Sequence, residues 1–169
     1  MIDENRKPVL NAQQTSQRIK RIAFEIYERN FTESEIVLAG IVGEGYQMAT
    51  LLSAELELIS PLKVILLQIK LDKKEPHANP VDFGIEKTQM TNKVIVVVDD
   101  VLNTGRTLAY SLSPLLGVTV KKVQVAVMIN RDHHSFPISA DYVGYAVSTT
   151  LNEHVQVVLM GPAAGVYLS

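Results

Sequence analysis

The sequence has no cysteine. A disulfide scaffold, a thiolate metal site and a thiol nucleophile are all excluded by that absence. It also lacks any apolar run approaching the ~20 residues of a membrane-spanning helix, so no span is expected. The opening segment, Met1 to Pro8, is polar and charged and does not read as a signal peptide. A soluble cytoplasmic protein is the expectation. Positive charge is not in excess either. Lysine and arginine number 16 against 18 aspartates and glutamates, a net charge of −2. That balance argues against a broad non-specific nucleic-acid surface and leaves room only for a local basic patch. What is present, 47% hydrophobic and 20% charged residues over 169 positions, is ordinary globular composition. One α/β domain over residues 1–169 is expected, with a substantial core.

The chain is organised around Val94-Ile95-Val96-Val97-Val98-Asp99-Asp100-Val101-Leu102-Asn103-Thr104-Gly105-Arg106-Thr107. Five consecutive β-branched residues read as a strand buried on both faces, as in a parallel sheet. Two carboxylates follow, then a polar turn with Thr104, Gly105 and Thr107, then a helical run from Leu108 to Leu116. That order places a ligand site at the carboxyl end of a strand. Turn amides and threonine hydroxyls suit a phosphate. The carboxylates suit sugar hydroxyls or a metal ion instead. A ligand with both a phosphate and a metal-bound diol meets both demands.

On these residues the chain resembles the type I phosphoribosyltransferases, whose signature for phosphoribosyl pyrophosphate (PRPP) has this form. Val97 to Thr107 is similar above all to the version in the pyrimidine-operon attenuator group, whose members are also uracil phosphoribosyltransferases. The resemblance implies a parallel central sheet flanked by helices, with a small hood and a flexible lid loop. It implies PRPP and a nucleobase as substrates, Mg²⁺ as cofactor, and a homo-oligomer, dimer or higher. Asp99 and Asp100 become the catalytic pair that holds the ribose diol and the metal. Asn103, Thr104, Gly105, Arg106 and Thr107 become the PRPP-binding turn around the 5′-phosphate.

Taken in order, Thr15 or Ser16 is expected to cap a helix running to about Asn30. Ile19, Ile22, Ala23, Ile26 and Tyr27 form its apolar stripe, and the charges between them read as a solvated face. Glu35 to Val42 reads as the first core strand, followed by the turn Gly43-Glu44-Gly45 and a helix from about Tyr46 to Leu58. Gly43 and Gly45 suggest a dinucleotide turn, but Met48 stands where the third glycine belongs. The resemblance makes Gly43, Glu44 and Gly45 the pyrophosphate loop. The related proteins carry an arginine there; here Glu44 brings a negative charge, and slow turnover is expected.

A strand is expected within Pro61 to Leu71, and a polar lid over about 72–92, where Lys73 or Lys74 either reaches a phosphate or forms a plain exposed pair. Lys121 to Ile129 is a further strand, ending in Asn130-Arg131-Asp132-His133-His134. The adjacent histidines diverge in a turn and have no third ligand at helpful spacing. Pro137 to Tyr145 holds a short strand, and there the resemblance makes Tyr142 and Val143 base-binding, one by stacking and the other through its backbone. A last strand spans His154 to Leu159, and the tail beyond it does not follow the family pattern.

Two positions speak about the base. The related 6-oxopurine enzymes carry an aspartate where Asn103 stands and a lysine where Asn130 stands. Asn103 cannot take up a proton as a base must, and Asn130 supplies no charged donor, so a pyrimidine such as uracil is favoured. Three functions are compatible with the residues. They are a pyrimidine phosphoribosyltransferase, a nucleotide-sensing RNA-binding regulator with weak or absent catalysis, and an unrelated phosphate-binding α/β protein. The few clustered cations, Lys121, Lys122 and Arg131, place RNA binding behind catalysis.

Overall fold

The computed structural model describes residues 6–169; the first residues of the polar opening segment lie outside that range. In chain order the elements are β1 (Lys7–Leu10), α1 (Ala12–Asn30), β2 (Glu35–Ile41), α2 (Glu44–Ile59), β3 (Lys63–Ile69), β4 (Val94–Leu102) and α3 (Arg106–Ser111). They are followed by β5 (Lys122–Asn130), β6 (Tyr142–Ala146), β7 (Val155–Val158) and β8 (Gly165–Leu168). A five-stranded sheet runs β3-β2-β4-β5-β6, every neighbouring pair parallel. The parallel sheet flanked by helices is therefore the observed fold.

β4 lies at the centre because both of its faces are apolar. Val94, Val96 and Val98 pack with Ile36, Leu38 and Met128 in the core shared with α1 and α2. Ile95 and Val97 pack on the opposite face with Val37, Val127, Phe83 and Leu108. Each such burial is worth roughly 1.5–3 kcal/mol, so a run of five leaves the strand no stable place at an edge. Gly40 on β2 lets α2 approach closely, since a Cβ there would stand 2.6 Å from the Tyr46 Cα.

α1 starts earlier than Thr15. Asn11 caps it, accepting from the Gln14 amide at 2.8 Å, while Gln14 Oε1 accepts from the Asn11 amide at 2.9 Å. That reciprocal pair satisfies two helix-end donors, and Thr15 is left buried in the first turn. The charged residues of α1 are not simply solvated. Arg21 donates to the carbonyls of Val143 and Gly144 at 3.1 and 2.6 Å. Arg18 lies over the Tyr145 ring and Arg29 over the Tyr142 ring, at 5.4 and 5.0 Å. The expected helix after the acidic turn is divided, α3 ending at Ser111 and a 3₁₀ turn covering Ser113–Gly117 with Pro114 near its start.

A second sheet, β1-β8-β7, is antiparallel and joins the two ends of the described chain. It forms the hood. Between β3 and β4, Lys70 and Asp82 make a two-way backbone bridge at 2.8 and 3.0 Å. Phe83 and Met90 from the same connection are buried. No helix among the described residues is long and apolar enough to cross a membrane.

Candidate active site

The acidic pair and the turn stand together at the carboxyl end of β4. Gly105 has φ +85°, a left-handed conformation that disfavours any side chain. A Cβ there would also press on Ile138 at 3.2 Å. The Thr104 carbonyl accepts from the amides of Ser135 and Phe136 at 2.8 and 3.0 Å, so the segment after β5 braces the turn. The Thr104 hydroxyl accepts from the Arg106 amide at 3.3 Å. A pocket of about 40 Å³ lies inside this turn, lined by Asp99 and residues 101–108.

A larger cleft of about 460 Å³ adjoins it. Glu44, Lys73, Asp99, Asp100, Asn103 and Thr107 line one side, and hood residues 154–158 line the other. Four distant parts of the sequence meet there. The start of α2 reaches the cleft because Gly43 caps it at φ +95°. It also needs Gly45, where a Cβ would stand 2.9 Å from the Val98 carbonyl oxygen and 3.0 Å from Asp99 Oδ1.

Asp99 is buried, 3% exposed, and accepts from the Asp100 amide at 3.0 Å. Burial first, and the neighbouring Asp100 second, raise its pKa to about 8, against a lowering pull from Lys73. The Lys73 ammonium lies 3.4 Å from Asp99 and 3.8 Å from Asp100. A cation therefore already sits over the acidic pair. Hard divalent cations are commonly held by one or two carboxylates plus substrate oxygens and waters. Asp99 and Asp100 fit that donor set. Among the described residues there is no cluster of three or more histidine, cysteine or carboxylate groups able to hold an ion without substrate.

The model for the phosphoribosyl transferase domain family matches residues 5–162. The chain belongs to this family. Among curated relatives, the bifunctional protein PyrR of Clostridioides difficile is 38% identical over 149 residues, 84% of each chain. That of Bacillus pumilus is 33% identical over 165 residues, 92% of each chain. In fold, the phosphoribosyltransferase domain is similar to the hypoxanthine phosphoribosyltransferase of Trypanosoma cruzi in complex with IMP, at TM-score 0.70 and 17% identity. That match covers 88% of this chain and 82% of the other.

Within the phosphoribosyltransferase frame, Asp99 and Asp100 at the end of β4 and Asn103, Thr104, Gly105, Arg106 and Thr107 in the turn form one contiguous stretch. Glu44 and Gly45 lie beside it, and Gly43 is set in the open at the start of α2. Tyr142 and Val143 do not join them, which corrects the base-binding expectation. Tyr142 opens β6 opposite Ala126, whereas the strand's carboxyl end is Ala146 opposite Asn130. Its side chain is 0% exposed, and its hydroxyl donates to Gln124 Oε1 at 2.9 Å. A ring sealed in that way cannot stack on a ligand. Val143 is half-buried against the core on the Val97 face of the sheet, and its carbonyl accepts from Arg21. Accordingly, Tyr142→Phe is expected to lower stability by about 1 kcal/mol, the value of one hydrogen bond. The Michaelis constant for a nucleobase should not move. Thermal melting and steady-state kinetics on the same preparation check both halves.

Two contributors to the cleft were not assigned from sequence. For Lys73 the sequence favours a plain exposed pair over a phosphate contact, and nothing in the spacing marks a lysine 26 residues before Asp99 as its partner. Strand β7 carries no motif at all. Glu44 has an unexpected partner too, since its Oε2 accepts from the Leu159 amide at 3.0 Å. His133 and His134 turn to different partners, the Thr149 carbonyl and Asn130 Oδ1.

Proposed function

We propose that this phosphoribosyltransferase moves the ribose 5-phosphate of PRPP to a pyrimidine base, uracil, and releases pyrophosphate. The observation that carries the reading is the cleft in which the acidic pair, the Thr104–Thr107 turn and the start of α2 face one another. The turn amides, with the hydroxyls of Thr104 and Thr107, hold the 5′-phosphate. Asp99 and Asp100 accept from the ribose diol, and the negative charge the pair shares stabilises positive charge developing on the ring as the glycosidic carbon loses its leaving group. Lys73, 3.4 Å from Asp99, exchanges the carboxylates for the pyrophosphate when PRPP enters. Asp99 and Asp100 would hold Mg²⁺, which would neutralise the leaving group. The hood shields the reacting centre from water.

Uracil is supported by Asn103 and Asn130, which offer neither a general base nor a charged donor for a 6-oxopurine. The test is PRPP-dependent release of pyrophosphate with Mg²⁺ across a panel of nucleobases. Uracil should turn over fastest. Faster turnover of hypoxanthine or guanine overturns the pyrimidine reading, and no turnover of any base overturns the transferase reading. A second reading is an RNA-binding regulator of pyrimidine genes that senses nucleotides at the same cleft. It is favoured by one observation, that curated relatives are named bifunctional. Binding of a pyrimidine-leader RNA, measured with and without UMP and at two salt concentrations, separates the two readings.

A further inference from the structure

Hood strand β7 lies at the edge of its sheet, with β8 on one side only. His154 and Ser169 exchange two backbone bonds, at 2.8 and 3.0 Å, and the register continues Gln156 opposite Tyr167 and Val158 opposite Gly165. In an antiparallel pair such exchange occurs at alternate residues. The main-chain groups of Val155, Val157 and Leu159 consequently point away from β8, along the free edge. One of these groups reports where the edge faces, since the Leu159 N–H meets the Glu44 carboxylate at 3.0 Å. Val155 and Val157 share that edge and line the large cleft. Glu44 itself opens α2, at the rim of the same cleft and 115 residues from Leu159.

We propose that Glu44 is a positioning residue that clamps the free edge of β7 over the cleft. The clamp fixes the wall of Val155 and Val157, which lines one cleft with Asp99 and Asp100 and against which a base joined to a ribose at the acidic pair would rest. The place where an arginine would meet pyrophosphate is thus used here to hold the hood. The Leu159 side chain is buried against the core, so its backbone is held on one side by packing and on the other by this single bond. Without the bond, the edge from Val155 to Leu159 keeps its pairing to β8 but loses its anchor to the α2 side of the cleft. The base wall then loosens, whereas the Thr104–Thr107 turn, braced separately by Ser135 and Phe136, is untouched.

The proposal rests on the transferase reading only for its kinetic arm; amide exchange is measured without substrate. Glu44→Ala should speed exchange at the Leu159 amide and raise the Michaelis constant for the nucleobase, each by about tenfold or more, the scale of a lost bond to a charged acceptor. Affinity for ribose 5-phosphate, which carries no pyrophosphate to meet Glu44, should change by less than about twofold, because the Thr104–Thr107 turn is intact. Glu44→Gln keeps an oxygen that accepts from Leu159 and should restore most of both effects. Glu44→Arg, which offers no acceptor, should behave like the alanine variant. Unchanged Leu159 exchange in Glu44→Ala overturns the clamp, as does a glutamine variant as impaired as alanine. Tighter PRPP binding or faster turnover in Glu44→Arg also overturns it and returns Glu44 to simple repulsion of pyrophosphate. If no variant or wild type turns over any base while exchange responds as expected, the clamp stands and the transferase reading falls.

Discussion

Asp100→Asn is expected to lower turnover by on the order of 10²–10³, the usual consequence of removing one preorganised group that faces developing charge. Its side chain is 21% exposed at the cleft, 3.8 Å from Lys73, and its charge works against the buried Asp99, so its loss should not lower stability. Asp99→Asn should also cost turnover, with an opposite effect on stability that depends on pH. Burial and Asp100 hold the Asp99 pKa near 8 in the folded chain, against roughly 3.9 when unfolded. Below the unfolded value the carboxyl is neutral in both states and costs nothing. As pH rises toward 8 the unfolded chain ionises freely while the folded one resists, so wild-type stability falls through that window and levels off above it. Asparagine stays neutral and still accepts from the Asp100 amide. The Tm of Asp99→Asn should therefore match wild type near pH 4 and exceed it near pH 8.5, by about 2–4 °C for each kcal/mol recovered. A Tm difference independent of pH would show that Asp99 is not a raised carboxyl.

Changing Thr104 and Thr107 together to valine should weaken binding of ribose 5-phosphate or UMP by at least about a hundredfold. Two hydroxyl bonds to a charged phosphate are removed, each worth roughly 1.5–3 kcal/mol. Backbone geometry is set by Gly105 and by the bonds from Ser135 and Phe136 to the Thr104 carbonyl, none of which the substitutions touch. Loss of affinity should therefore come without loss of fold. Calorimetry that finds nucleotide binding unchanged in the double variant sinks the placement of the 5′-phosphate.

The sheet was legible where a stretch carried a pattern only one structure satisfies. Val94 to Val98 is such a stretch, because five β-branched residues followed by two carboxylates fit a buried strand that ends at a site. The cap of α1 is Asn11 rather than Thr15 or Ser16 because Asn11 with Gln14 makes the reciprocal cap. Asparagine and serine cap about equally well, so propensity alone does not choose between them. Strands β1 and β8 span four residues each, too few for any alternation to declare itself. Lys73 and Glu44 find their partners across 26 and 115 residues, and no local rule encodes such contacts. Tyr142 failed for another reason. A motif fixes the order of residues along a strand, but burial decides which of them face the ligand, and here Asn30 and Gln124 draw the phenol inward.

The hood carries a consequence for the order of assembly. The central sheet is complete once residue 146 has been placed, and all its pairings are parallel neighbours within that span. β1 has no partner until β8 arrives, because Lys7 pairs with Leu168 and Leu10 with Val166. Closing a loop of that length is entropically late in folding. The Thr104–Thr107 turn therefore takes shape on a chain still open above it, and the cover is added last by two segments far apart in the sequence. A nascent or locally unfolded molecule would hold phosphate before it could exclude water. Ligand binding without transfer is thus the expected behaviour of the partly folded protein.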